Sequence, residues 1–137
     1  MKHLFFVEDD LSLINGLSFA LKKEGYAVDV ARTKQEAEAL WLKEKFDLVI
    51  LDVSLPDGSG YDLCRQIRQT STVPIIFLTA ADEETEIIMG LDLGGDDYIT
   101  KPYSLKELAA RVYAQIRRNS MKGFVIDHQN QLLQIDN

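Results

Sequence analysis

The sequence predicts an α/β domain in which a doubly wound, five-stranded parallel sheet carries helices on both faces. Short runs of β-branched and aromatic residues alternate with longer segments of helical periodicity, which is the pattern of repeated βαβ units. The third and fourth runs are almost entirely apolar, as expected for strands covered on both faces. The 137 residues, 46% of them hydrophobic, suffice for one domain with its own core and not for two.

The predicted strands are short runs of aliphatic and aromatic residues. They cover residues 2–7, 26–31, 47–52, 74–79 and 97–100. The predicted helices lie between and after them, at residues 11–24, 34–45, 60–69, 83–93 and 104–118. Strands and helices therefore alternate along residues 1–119.

Three of the helices have clear end signals and apolar faces. The first places Leu11, Ile14, Leu17 and Leu21 on one face and ends at Gly25. Thr33 with Glu36, and Ser104 with Glu107, have the spacing of capping boxes at helix starts. The last helix carries an apolar stripe formed by Leu105, Leu108, Ala109, Val112 and Ile116.

The helical periodicity stops near Asn119-Ser120, which separates a domain over residues 1–119 from a tail over residues 120–137. Residues 124–136 are interpreted as two short strands about a His128-Gln129-Asn130 turn. The tail is too small to fold alone.

Charge and composition restrict the partners and the compartment. Lys and Arg number 15 against 22 Asp and Glu, a net charge of −7, so the surface repels phosphate backbones and anionic lipids. The single cysteine, Cys64, excludes an internal disulfide, suits a reducing cytosol and is expected to be a buried apolar residue. The apolar run at residues 4–7 is too short for a signal peptide or a membrane span. We expect a cytoplasmic protein without a membrane partner.

Charged and polar residues follow the predicted strands. Glu8, Asp9 and Asp10 follow the first strand, and Asp52 ends the third. Thr79 ends the fourth strand and Lys101 follows the fifth. Ligands bind at this edge of doubly wound sheets. These side chains are therefore the first candidates for a functional site.

Carboxylates that converge in one crevice repel one another, and a hard divalent cation such as Mg²⁺, which prefers oxygen ligands, relieves that repulsion. Asp9, Asp52 and the carbonyl of Ser54 are the candidate ligands. With Lys101 nearby, negative charge on an incoming phosphoryl group is neutralised from two sides, and Asp52 is a candidate nucleophile. Alternatively, Glu8, Asp9 and Asp10 are only the cap and first turn of the first helix, and for Asp10 we favour this interpretation.

Four motifs in order resemble the receiver domain of bacterial two-component response regulators, over residues 2 to about 119. They occupy residues 7–10 (VEDD), 51–60 (LD and LPDGSG), 74–80 (PIIFLTA) and 95–103 (GDDYITKPY). The last motif, continued by residues 105–112, is similar to the OmpR/PhoB subfamily of transcription factors. The resemblance implies a flavodoxin-like or CheY-like (βα)5 sheet with the strand order 2-1-3-4-5.

The resemblance also implies roles for the residues at the strand ends. Asp52 would accept a phosphoryl group from a phosphohistidine on a sensor histidine kinase. Asp9 and the Ser54 carbonyl would bind Mg²⁺ directly, with Glu8 helping through water. Lys101, joined to Pro102 by a cis peptide in the family, would pair with the phosphoryl oxygens.

The switch of the family falls on Thr79 and Tyr98. Thr79 would turn its hydroxyl to a phosphoryl oxygen, and Tyr98 would turn inward to fill the vacated space. The small Ala80 would leave the site open to a bulky donor.

In the OmpR/PhoB subfamily the fourth helix, fifth strand and fifth helix form a symmetric homodimer interface with ion pairs between subunits. The matching positions here are Asp92, Asp97, Glu107, Arg111 and Arg118. The subfamily usually has a basic residue where this chain has Ile87, so we expect one ion pair to Glu107 to be missing and the interface to be more apolar. Alternatively, Ile87 is an additional core residue of an amphipathic helix.

The tail resembles the opening strands of the winged-helix DNA-binding domain that follows the receiver in this subfamily. DNA would then be reached only through a C-terminal domain missing from this chain. Alternatively, the tail folds back as an additional hairpin.

Three other functions compete with this reading. A haloacid dehalogenase-type enzyme also uses an aspartyl nucleophile and Mg²⁺, but it needs a second Asp at the position of Ser54. We therefore expect a lasting phosphoaspartate on a signalling domain, not an enzyme. A flavodoxin would bring the FMN phosphate against Glu8, Asp9 and Asp10, which repel it. An interaction module without phosphorylation is disfavoured by the complete set of Asp9, Asp52, Thr79 and Lys101.

Overall fold

The computed structural model describes residues 1–80, 94–100, 104–121, 124–126 and 132–134. Five parallel strands form the central sheet: β1 (His3–Val7), β2 (Ala27–Ala31), β3 (Leu48–Asp52), β4 (Ile75–Thr79) and β5 (Asp97–Thr100). Their spatial order is β2-β1-β3-β4-β5. The predicted strands and the predicted order 2-1-3-4-5 are confirmed, and every strand ends at the predicted residue.

Four helices are described around the sheet: α1 (Leu11–Lys23), α2 (Lys34–Lys43), α3 (Gly60–Arg68) and a long helix (Leu105–Met121). Each corresponds to a predicted helix, with small shifts at the ends. Gly25 has φ +95° just after α1, a conformation that favours glycine and confirms it as the terminator. The predicted helix over residues 83–93 lies outside the described residues.

Side chains cap the helix starts as predicted, with one change of partner. Asp10 accepts hydrogen bonds from the backbone nitrogens of Ser12 and Leu13, and the hydroxyls of Thr33 and Ser104 accept from the third residue of their helices at 3.0 and 2.9 Å. The Glu36 carboxylate, however, accepts from the backbone nitrogen of Arg32, at 2.8 Å. It reaches one residue further back than in a capping box, so it holds the loop before α2 as well.

The two faces of the sheet carry two separate cores, because alternate strand residues point to opposite sides. Phe5, Leu51 and Phe77 belong to the core that includes residues of α2 and α3, and Phe6, Ile50 and Leu78 to the core that includes residues of α1 and the long helix. These six side chains are fully buried, and each contributes about 1.5–3 kcal/mol through burial. The cores fix the strand ends relative to one another.

Two apolar positions were predicted wrongly. Leu11 and Leu105 were assigned to buried helix faces, but they are 54% and 39% exposed. Each is the first residue of its helix and lies beyond the buried part of the helix face. The buried stripes begin one turn later, at Ile14 and Leu108.

The sequence pattern also missed a short antiparallel pair, Ser54–Leu55 with Gly58–Ser59, between β3 and α3. In the tail, Phe124–Ile126 pairs antiparallel with Leu132–Gln134, as predicted, and the predicted turn at 128–130 lies outside the described residues. Cys64 is fully buried, and this burial raises the pKa of its thiol, as expected for an apolar position. Among the described helices, none combines the length and the apolar character that a membrane span requires.

Asp57 should stabilise the fold in a pH-dependent way. Its carboxylate accepts from the backbone nitrogens of Lys34 and Gln35 at 2.6 and 2.9 Å, and these hydrogen bonds, that from Lys34 first, lower the pKa of Asp57. A carboxyl group whose pKa is lower in the folded state stabilises that state above its unfolded pKa and loses the effect as the pH falls through its folded pKa. Asp57→Asn should therefore be less stable than wild type at neutral pH, with a difference that shrinks in acid. Urea unfolding across this pH range measures it, and a constant difference would contradict the assignment.

Candidate functional site

The carboxyl ends of β1, β3 and β4 open into one cleft of about 570 Å³. Glu8 follows β1, Asp52 ends β3, and Thr79 ends β4. The remaining lining comes from the loops after these strands: Asp9, Asp10, Ser54, Leu55, Pro56 and Ala80. The structure therefore brings together all the sequence-predicted site residues that fall on β1, β3, β4 and the loops that follow them.

The acidic side chains of the cleft are buried to an unusual degree. Glu8 is 1% and Asp52 4% exposed, whereas most Asp and Glu side chains in proteins face water. Carboxylate oxygens of Glu8, Asp9 and Asp52 lie within 4.8 Å of one another. Carboxylate oxygens at this spacing suit a hard divalent cation such as Mg²⁺, bound directly or through water, which would also relieve their mutual repulsion.

The carboxylate of Glu8 holds the loop after β1. Glu8 Oε2 accepts from the backbone nitrogens of Asp9 and Asp10, at 3.0 and 3.2 Å, and its own nitrogen donates to the carbonyl of Ala31 at 3.0 Å. Asp10 turns away to cap α1. Glu8 therefore fixes the turn that directs Asp9 toward Asp52, and the predicted capping role of Asp10 is confirmed.

The loop after β3 folds tightly back on Asp52. The backbone nitrogen of Ser54 donates to Asp52 Oδ1 at 3.2 Å, and that of Gly60 donates to the carbonyl of Val53 at 2.8 Å. A Cβ atom at position 60 would lie 2.2 Å from the carbonyl oxygen of Asp52. Only glycine fits this approach, so Gly60 lets α3 begin directly beside the end of β3.

The two predicted switch residues lie on adjacent strands. Thr79 is 3% exposed and stands opposite Thr100 in the β4–β5 ladder. Tyr98 is half-buried, and its ring lies 6.5 Å from that of Phe77, centre to centre. Lys101 and Pro102 lie outside the described residues.

Part of the predicted dimer face is described. Arg111 Nη1 lies 2.8 Å from Asp97 Oδ1, and its Nε lies 3.4 Å from Glu107 Oε1. The hydrogen bond to Asp97 raises the pKa of Arg111. Arg118 is exposed on the same helix, whereas Ile87 and Asp92 lie outside the described residues.

The sequence profile of the response regulator receiver domain matches residues 4–113. The chain belongs to this family. The family membership predicted from the four motifs is thereby confirmed. Residues 4–113 form the receiver domain of a two-component response regulator.

Similar proteins agree in sequence. The sensory transduction protein RegX3 of Mycolicibacterium smegmatis is 45% identical over 120 residues, which is 88% of this chain and 53% of that protein. RegX3 of Mycobacterium tuberculosis is 46% identical over 118 residues, 86% of this chain and 52% of its own length. The chain thus spans about half the length of the curated relatives it matches.

Solved structures agree in fold. A two-component response regulator from Clostridium difficile superposes with a TM-score of 0.83 at 35% identity, over 86% of this chain and 98% of that one. The BeF3-activated N-terminal receiver domain of RstA from Klebsiella pneumoniae gives a TM-score of 0.79 at 36% identity, over 84% and 98%. The α/β architecture of the receiver domain is therefore shown by both comparisons.

Sequence reasoning missed two residues that support the cleft of this receiver domain. Arg32 donates to the carbonyl of Asp9, and Asp57 accepts from the start of α2. Both contacts join residues at least 22 positions apart in the chain. No local sequence pattern predicts these two contacts.

Gly60→Ala should disrupt the loop behind Asp52. The added methyl collides with backbone, which cannot move as a flexible side chain does, so we expect a loss of at least about 2 kcal/mol in the free energy of unfolding. Gly16→Ala is the matched control, since its Cβ would meet only Leu105 Cδ1 at 3.5 Å and a helical Gly→Ala change stabilises by up to about 1 kcal/mol. Chemical denaturation measures both, and equal effects would argue against a special role for Gly60.

Proposed function

We propose that this receiver domain is phosphorylated on Asp52 by a sensor histidine kinase and passes the signal to a C-terminal DNA-binding domain. The observation that carries the proposal is the buried Asp52 carboxylate at the end of β3, within 4.8 Å of Glu8 and Asp9 oxygens. A lone buried carboxylate would be costly, whereas a cluster that can hold a cation suits phosphoryl transfer.

Asp9, Asp52 and the carbonyl of Ser54 would hold Mg²⁺, with Glu8 acting through water. When bound, Mg²⁺ supplies positive charge that offsets the charge of the phosphoryl group. Glu8 is suited to the indirect role because Oε2 already accepts two backbone hydrogen bonds. Asp9 is half-buried at the cleft and is the more accessible ligand.

In the proposed reaction, an Asp52 oxygen attacks phosphorus, the P–O bond forms and the P–N bond of the phosphohistidine breaks. The electron pair of that bond stays on the imidazole nitrogen. The imidazole leaves as a neutral ring when its other nitrogen carries a proton. Lys101 would pair with the phosphoryl oxygens from the segment after β5. The exposed Ala80 at the rim leaves room for a protein donor.

The phosphoaspartate should persist after transfer. Rapid hydrolysis needs a group that activates water beside the acyl phosphate. The residue two positions after Asp52 is Ser54, which is exposed and contributes its backbone nitrogen to Asp52. A serine hydroxyl at that position is a poor base, so we propose a signalling domain and not a phosphatase.

The output would run through Thr79 and Tyr98 to a homodimer face. This face comprises the predicted helix over 83–93, β5 and the long helix, with Ile87, Asp92, Asp97, Glu107, Arg111 and Arg118. Within one chain Arg111 already contacts Asp97 and Glu107, so dimerisation would share or exchange these partners. We further propose an OmpR/PhoB-type transcription regulator in the cytoplasm, because the match covers only 53% and 52% of the length of its relatives, and DNA contact would fall to their additional part.

Intact mass spectrometry after incubation with acetyl phosphate tests the central proposal. We expect a single phosphoryl adduct that requires Mg²⁺ and is absent in Asp52→Ala, because no other described carboxylate ends a strand in the acidic cluster. Asp62→Ala is the control, since Asp62 is an exposed partner of Arg65 on α3 and its loss should leave the adduct intact. No adduct with any small phosphodonor would favour an interaction module without phosphorylation.

The association of the unphosphorylated protein tests the apolar character proposed for the dimer face. With Ile87 in place of a basic residue, we expect metal-free protein to form dimers at high concentration in sedimentation velocity runs. Ile87→Lys should weaken them, because the desolvation cost of the lysine exceeds the gain from one ion pair with Glu107. A strict monomer at every concentration would overturn this part of the proposal.

A further inference from the structure

We propose that Arg32 and Asp57 form a brace that ties the start of α2 to the loops after β1 and β3, fixes the spacing of these two ligand loops and so sets the affinity of the site for Mg²⁺. This inference rests on the metal site proposed above. Neither Arg32 nor Asp57, the two side chains that make the brace, is itself a proposed ligand. They are positioning residues.

The first half of the brace holds the loop after β1. Arg32 Nη2 donates to the carbonyl of Asp9 at 2.8 Å, while the Arg32 backbone nitrogen donates to Glu36 Oε2 at 2.8 Å. Arg32 is thus anchored to α2 through its backbone and to Asp9 through its guanidinium. Because it contacts the backbone of Asp9, it leaves the carboxylate of that residue to the cleft.

The second half holds the loop after β3. Asp57 lies three residues after Ser54 and accepts from the first two backbone nitrogens of α2, Lys34 at 2.6 Å and Gln35 at 2.9 Å. Thr33 caps the next free nitrogen, that of Glu36, at 3.0 Å. The start of α2 therefore binds the tip of the Ser54 loop through two charge-assisted hydrogen bonds.

Together the two contacts tie Asp9 and the Ser54 loop to one rigid element. A cation that bridges these loops must hold them at one spacing, and loops that are already fixed lose less freedom on binding. Groups outside the coordination sphere commonly change metal affinity by about tenfold or more. The brace therefore favours Mg²⁺ binding by ordering the ligands beforehand.

Simple electrostatics predicts a different pattern of effects. Arg32 is a positive charge beside an acidic site and by repulsion alone should weaken Mg²⁺ binding, whereas Asp57 is negative and should strengthen it. Removing Arg32 therefore increases the affinity for Mg²⁺ if charge repulsion is the dominant effect. It decreases that affinity if the ordering of the loops is the dominant effect. The sign of the Arg32 effect separates the two explanations.

The experiment is a titration of the 137-residue protein with Mn²⁺, followed by electron paramagnetic resonance of the free ion, with Mg²⁺ as the competitor at fixed ionic strength. We expect Arg32→Met and Asp57→Asn each to raise the Kd for Mg²⁺ about tenfold. Arg32→Lys, which keeps the charge and a donor, should recover part of the loss. Arg65→Met and Asp62→Asn, which remove an exposed arginine and aspartate on α3, should leave the Kd unchanged.

Tighter Mg²⁺ binding by Arg32→Met, or an unchanged Kd in both brace variants with only a lower unfolding temperature, would overturn the proposal. Asp9→Asn distinguishes this failure from failure of the metal site itself. If Asp9→Asn abolishes binding while the brace variants bind normally, the site stands and the brace does not. If Asp9→Asn has no effect, the proposed site is wrong and the brace falls with it.

Discussion

The convergence of buried carboxylates at one edge of an apolar sheet is the constraint that shapes the rest of the cleft. Glu8 and Asp52 are almost completely buried and share a 4.8 Å cluster with Asp9. Burying such groups costs free energy unless hydrogen bonds or opposite charge compensate. The backbone nitrogens of Asp9, Asp10 and Ser54 supply part of the compensation. The proposed Mg²⁺ would add positive charge to this compensation.

The sheet makes this convergence possible because it brings together residues that are far apart in the chain. Glu8, Asp52 and Thr79 end three neighbouring parallel strands, so the two cores that fix strand register also fix the cleft. The loops add what the strands cannot supply. Gly60 allows α3 to begin against the carbonyl of Asp52, and the short pair between Ser54 and Ser59 closes the intervening loop. The position of Asp52 thus depends on backbone contacts on either side of it.

Most of the fold and the ligand cluster could be predicted from sequence because both follow from local patterns. Apolar runs locate the strands, and residues at the ends of parallel strands must share an edge. Leu11 and Leu105 were misplaced because periodicity alone does not say where a helix passes beyond the core. The contacts of Arg32 and Asp57 could not be predicted, since each joins two loops more than 20 residues apart and neither residue type is unusual in a loop. The contribution of Lys101, Ile87 and Asp92 stays a prediction, because they lie outside the described residues.

The net charge of −7 gives the acidic cleft a further consequence. In the proposed reaction, an anionic phosphoryl donor approaching Asp52 meets a negatively charged protein and the carboxylates of Glu8 and Asp9, so a bound cation would favour the approach. Cation binding and the proposed phosphoryl transfer would therefore be coupled by charge, and whatever favours the first would also favour the second. Within the described residues, a guanidinium placed on the carbonyl of Asp9 orders the loop without entering the cleft. In the proposal, Arg32 thus orders the loop while its charge stays outside the cleft, and Mg²⁺ would supply positive charge beside Asp52.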